Sequence, residues 1–178
     1  MTEGPEFRYH PHPLATGSVK RADVTCDACG QLRGLVYVGP VYAQENEPTL
    51  CPWCIADGTA AEAFGAEFTS VGTEAPIDIH EDVLIRVTQQ TPGFAGWQQE
   101  HWLYHCGDAA AFLGLAGRDE LEAHPGALES LTSELAELNW SSDEVAEYLS
   151  GLSKTHSPTA YLFRCLSCET HLAYSDGD

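Results

Sequence analysis

Two Cys-x-x-Cys pairs, Cys26 with Cys29 and Cys51 with Cys54, are separated by 21 intervening residues and limit this chain more than any other feature. Four thiolates can close a tetrahedral zinc site, and two intervening residues make a turn tight enough to aim both sulfurs of a pair at one point. Gly30 follows the first pair, where a positive φ lets backbone N–H groups face the sulfurs. The second pair falls at an expected helix start, where the positive end of the helix dipole favours thiolates. A knuckle, a hairpin and then ligands on a helix N-terminus is the order of a treble-clef finger. Two bland readings stand beside it: a thioredoxin-like redox motif at Cys51-Pro-Trp-Cys54, and a set of buried thiols. The redox motif would sit in a βαβ context without an upstream partner pair.

Three further cysteines, Cys106, Cys165 and Cys168, bring the total to seven, an odd number that resists complete disulfide pairing. They fall one ligand short of a tetrahedral shell, and His105 and His171 are the candidates to complete it. His171 extends Cys165-x-x-Cys168 to a C-x-x-C-x-x-H run, but on a strand it can point away. His105 adjoins Cys106, and neighbouring residues seldom both ligate one ion. A second Zn2+ site over His105, Cys106, Cys165 and Cys168 is the expectation carried forward. With an open position it would be a metal-dependent hydrolase centre, with Asp108 or Glu100 as general base. Cys106 as a free nucleophile beside His105 is a further option. No residue is assigned a catalytic role.

Charge narrows the partners. Twenty-seven acidic side chains against eight basic ones give a net charge of −19, which repels nucleic acid and anionic membranes and favours a basic protein. Between Glu120 and Glu147 the acidic residues carry no Lys or Arg among them, as either a solvated face or a docking surface. No segment approaches 18 uninterrupted apolar residues, and the N-terminus lacks a basic region followed by an apolar run, so the chain reads as soluble and cytoplasmic.

The expected fold is α+β: a treble-clef or zinc-ribbon-like module with its N-terminal extension over 1–75, then a mainly helical part with a C-terminal knuckle hairpin over 76–178. An entry coil is packed by Phe7 and Tyr9. A hairpin joins the apolar run Leu32 to Val38 to a second run from Val41. Helices are expected over 55–68, 79–90, 109–115 behind an Asp108 cap, 121–138 with a break near Pro125, and 142–152. Strands run from Ala160 to Arg164 and from His171 to Tyr174. Trp97, Trp102 and Trp140 are expected in the core, and the scattered histidines at the surface or satisfied inside.

Three stretches together carry a family likeness: Phe7-Arg-Tyr-His-Pro-His-Pro-Leu-Ala-Thr-Gly-Ser18; Gly39-Pro-Val-Tyr42 with Leu50-Cys-Pro-Trp-Cys-Ile-Ala-Asp-Gly58; and Thr91-Pro-Gly-Phe-Ala-Gly-Trp-Gln-Gln-Glu100 with Trp102 and His105-Cys-Gly-Asp108. The chain resembles the CbrC family of bacterial proteins, whose name-giving member is described as a colicin-tolerance protein. The resemblance implies an immunity-like role against toxins with basic domains. It implies no catalytic residues.

Overall fold

In the computed structural model, which describes residues 4–43, 47–71 and 78–178, the apolar run Leu35–Tyr37 (β2) pairs antiparallel with Val19–Arg21 (β1), in the register Val19↔Tyr37. The expected hairpin partner, the run from Val41, is instead tied by one bridge from Tyr42 to Glu67. A strand takes whichever edge also buries its side chains, and β1 sets Val19 beside Leu35 and Tyr37 in one core.

The helix expected over 55–68 starts earlier and divides. Pro52–Ala56 (α1) begins with Pro at its first turn, and Thr59–Phe64 (α2) follows Gly58, whose φ of 83° ends the first helix. Glu81–Gln89 (α3) is capped by His80, which accepts from the Asp82 N–H. Phe68 N–H donates to Thr88 O at 2.7 Å and joins this helix to the rest. Phe7, Leu50, Ile55 and Phe68 form the core together with Cys26, Cys51 and Cys54. Gly93 passes so close to Phe68 O that a Cβ there would lie 1.7 Å from it. Tyr37 Oη accepts from Gly93 N–H at 3.1 Å and ties down the Thr91-Pro-Gly-Phe segment.

These elements belong to one unit, Met1–Ala95 with Glu100–Trp102. The second comprises Gly96–Gln99 and Leu103–Asp178. The boundary expected between residues 75 and 76 lies outside the described residues.

The second unit starts with Tyr104–His105 (β3) and Asp108–Ala109 (β4), a two-stranded hairpin. Residues 109–115 are not a helix. Ala111–Ala116 (β5) is a strand paired antiparallel with Thr159–Arg164 (β6), which pairs in turn with His171–Asp176 (β7). Ala and Leu favour a helix locally, but pairing with a buried central strand overrides propensity. Arg118–Glu122 (α4), Pro125–Glu137 (α5) and Ser142–Gly151 (α6) cover one face of this sheet. The break at Pro125 occurs as expected, and Ser141 caps α6 through a reciprocal box with Glu144. Leu131, Leu135, Val145 and Leu149 pack there on Ala160, Leu162 and Ala173. The other face stacks Tyr161 on Tyr174 at 4.7 Å and sets Phe112 5.2 Å from Phe163.

Of the three tryptophans expected inside, only Trp102 is buried; Trp97 and Trp140 are 49% and 38% exposed. Among the described residues no helix is long and apolar enough to cross a membrane. The fold is therefore mixed α and β with small antiparallel sheets.

Candidate metal centres

Each C-x-x-C knuckle is built by the backbone before any ligand is considered. In the first, Cys26 N–H donates to Gln31 O and Gly30 N–H to Cys26 O, at 3.0 and 2.7 Å. Gly30 has φ 67°. The loop that delivers the second pair is tied back to this knuckle: Asp27 N–H donates to Thr49 O, and Thr49 N–H to Asp27 Oδ2. Cys51 caps α1 in extended geometry and turns its N–H onto Cys26 Sγ at 3.3 Å.

The four sulfurs of Cys26, Cys29, Cys51 and Cys54 all lie within 4.8 Å of one another. Three of the separations are 3.9 Å for Cys26 to Cys54, 4.0 Å for Cys29 to Cys51 and 3.6 Å for Cys51 to Cys54. A tetrahedron with metal–sulfur bonds of about 2.3 Å has sulfur–sulfur edges of about 3.8 Å. A disulfide would need about 2.05 Å, so these free thiols have the spacing of a coordination shell. Burial pushes Cys51 and Cys54 above the usual thiol range. At Cys29 burial also pushes upward, but hydrogen bonding from Gln31 and the neighbouring sulfurs outweighs it and brings the thiol to about 7.

The second knuckle repeats the first. Cys165 N–H donates to Thr170 O and Glu169 N–H to Cys165 O, at 2.9 and 3.2 Å, with Glu169 at φ 61°. Ser167 and Cys168 turn their N–H groups onto Cys165 Sγ. The opposing ligands come from the β3–β4 turn, where Cys106 and Gly107 both have positive φ, the geometry of a type I′ hairpin turn. His105 Nδ1 lies 3.2 Å from Cys106 Sγ and 3.3 Å from Cys168 Sγ, and the two sulfurs are 3.7 Å apart. With Cys165 these donors again fall within 4.8 Å of one another. Cys168 comes down to about 6, mainly through its contact with the Thr170 hydroxyl, while Cys106 is pushed up to about 11, first by its contact with Cys168. Each tetrad could hold a metal ion.

The two centres differ in access. Cys26, Cys51 and Cys54 are buried, whereas Cys106 and Cys168 are exposed. His171, the other histidine considered for the second centre, stacks on His124 with ring centroids 4.1 Å apart. The two carboxylates considered as bases are engaged: Tyr42 Oη donates to Glu100 at 2.9 Å, and Asp108 Oδ1 accepts from Ala109 N–H at 2.8 Å. His105 and Cys106 meet although they are adjacent in sequence, because strand alternation ends at His105. Cys106 is already in the turn, and Gly107 after it was the readable signal.

Such a chain defines a class: a small cysteine-rich protein with two candidate metal centres, each built on a backbone-braced knuckle. It belongs to the uncharacterised protein family UPF0167, whose model matches residues 5–177. The UPF0167 protein Mb2317 of Mycobacterium bovis is 51% identical over 173 residues, covering 97% of this chain and 92% of the relative. The UPF0167 protein MT2352 of Mycobacterium tuberculosis matches to the same extent. The UPF0167 protein PA1536 of Pseudomonas aeruginosa is 41% identical over 166 residues, 92% of each chain. No solved structure matches.

Proposed function

We propose that this chain is a non-enzymatic protein stabilised by two zinc ions, whose acidic surface binds a basic protein. The observation that carries the zinc reading is the donor set: four cysteines in the first centre, and three cysteines with one histidine in the second, at the spacing of a tetrahedral shell. Thiolate-rich tetrahedral sites favour zinc over harder ions. The first centre, a knuckle followed by ligands at the start of α1, is read as treble-clef-like. Zinc bound there would supply folding free energy on the order of 10 kcal/mol.

The hydrolase alternative needs an open coordination position for water. A shell of His105, Cys106, Cys165 and Cys168 leaves none, which supports a structural role for both ions. The net charge of −19 supports a basic partner. The resemblance to the CbrC family supports a tolerance or immunity-like setting, in which that partner is a toxin domain.

Elemental analysis of protein purified without added metal, alongside its native mass, tests the zinc reading. Two zinc ions per chain are expected; one, none, or iron in their place would overturn it.

A further inference from the structure

In the second unit, α5 and α6 bury one side of each helix against the sheet and leave a groove between them. It has a volume of about 350 Å³ and is lined by Leu128, Thr132, Ala136, Trp140, Val145 and Leu149, with Ala146 also on its wall. The small side chains Ala136 and Ala146 let another backbone come close, while Val145 and Leu149 form an apolar floor. One cation, Arg118, lines the groove, and its guanidinium is paired with Glu122 at 2.8 Å.

Trp140 also belongs to a second recess, of about 290 Å³, with Glu144, Glu147 and Tyr148. The two rings there are edge to face, with centroids 5.2 Å apart and planes at 88°. An aromatic corner flanked by carboxylates suits an organic cation, because ring quadrupole and carboxylate attract the same charge. From Asp119 to Glu147 the chain carries nine carboxylates and no Lys or Arg. Exposed Glu129, Glu137, Asp143 and Glu147 belong to that stretch. A second copy of this chain, at −19, is therefore a poor occupant.

We infer that the groove between α5 and α6 docks a basic amphipathic helix of a partner protein. The partner's apolar stripe lies on Val145 and Leu149, and one of its Lys or Arg side chains enters the corner of Trp140, Tyr148 and Glu147. This is helix-in-groove recognition, in which residues spaced i, i+3 or i+4 and i+7 anchor the apolar face. The inference rests on the basic-partner reading and locates it.

The probe is a fluorescently labelled Leu/Lys peptide of about 18 residues, or five turns, with its leucines on one helical face. A peptide of the same composition with the leucines scattered is the comparator. Fluorescence anisotropy on the full chain at physiological salt should show the segregated peptide binding at least about tenfold more tightly than the scattered one. Trp140→Ala and Ala146→Gln, both at exposed positions, should each weaken it about tenfold. Glu62→Gln, an exposed change in the other unit, should leave it unchanged; melting curves check that each variant is folded.

If the two peptides bind alike, or the groove variants bind as well as the parent, the groove is overturned and the basic-partner reading survives. If neither peptide binds, both readings fall.

Discussion

Gly30 and Glu169 occupy the same place in two distant parts of the chain. Each follows the second cysteine of a knuckle, each has a left-handed φ, 67° and 61°, and each donates its N–H to the carbonyl of the first cysteine. Only one of them is the residue that this geometry prefers. A side chain in the left-handed region costs roughly 1 kcal/mol or more, and glycine escapes that cost.

The consequence can be measured by exchanging their chemistry. A Cβ at Gly30 would meet nothing within 4 Å, so the cost of Gly30→Ala is conformational alone. We expect that substitution to destabilise the first unit by about 1 kcal/mol, and Glu169→Gly to stabilise the second by somewhat less, because glycine also gains entropy in the unfolded chain. Denaturant titrations read both. Unequal signs are the point: if both substitutions destabilise, the knuckles are not equivalent.

The two centres carry different shares of stability. Cys26, Cys51 and Cys54 are members of the first unit's apolar core, while the apolar cluster between helices and sheet in the second unit, from Ala116 to Ala173, contains no cysteine, and of the second centre's thiols only Cys165 is buried. Cys51→Ser should therefore unfold the first unit, whereas Cys106→Ser should lose one zinc and keep the helices on their sheet. Circular dichroism with zinc analysis separates the cases. A Cys106→Ser variant that unfolds as completely as Cys51→Ser would refute the division.

Much of this site was legible in the chain, and the reason is local. A Cys-x-x-Cys knuckle closes through hydrogen bonds within six residues, so spacing alone reveals Cys26 with Cys29 and Cys165 with Cys168. The starts of α5 and α6 were legible for the same reason, through the break at Pro125 and the run Ser142-Asp143-Glu144, although the cap itself is Ser141. What stayed hidden depends on distant chain. Ala111–Ala116 is a strand because β6 pairs with it from 44 or more residues away, with Ala116 opposite Ala160 and Ala111 opposite Arg164. Leu35–Tyr37 found its partner upstream instead of downstream. Neither choice is written in periodicity, because both are settled by which edge buries the most apolar surface.

Exposure would order the loss of metal from the two candidate centres. Cys106 and Cys168 are exposed while three of the four thiols of the first centre are buried. A chelator or an alkylating reagent reaches the second centre without opening the fold. Brief treatment with EDTA should remove one zinc of two, and mass spectrometry after iodoacetamide should find the label on Cys106 and Cys168 before Cys26, Cys51 or Cys54. Release of both ions at one rate would show that the centres open together.

His10 is 0% exposed yet sits in a Pro-rich coil. Its Nδ1–H donates to Pro92 O at 2.6 Å, and Nε2 lies 2.7 Å from Thr16 Oγ1, whose hydroxyl can donate to it. Both partners are met by a neutral ring. Burial, with the nearby His12 adding to it against the pull of Pro92 O, lowers the imidazole from 6.5 to about 4. The unfolded chain binds the proton first, so His10 contributes stability that is complete above about pH 6.5 and declines as the pH falls toward 4. Between those limits the loss approaches about 3 kcal/mol, at roughly 1.4 kcal/mol for each unit of pKa. NMR titration of the His10 ring should show it neutral at pH 5.5. A midpoint near 6.5 in the folded protein would mean that this imidazole is solvated, and that the entry segment does not hold the Thr91-Pro-Gly-Phe segment through a buried hydrogen bond.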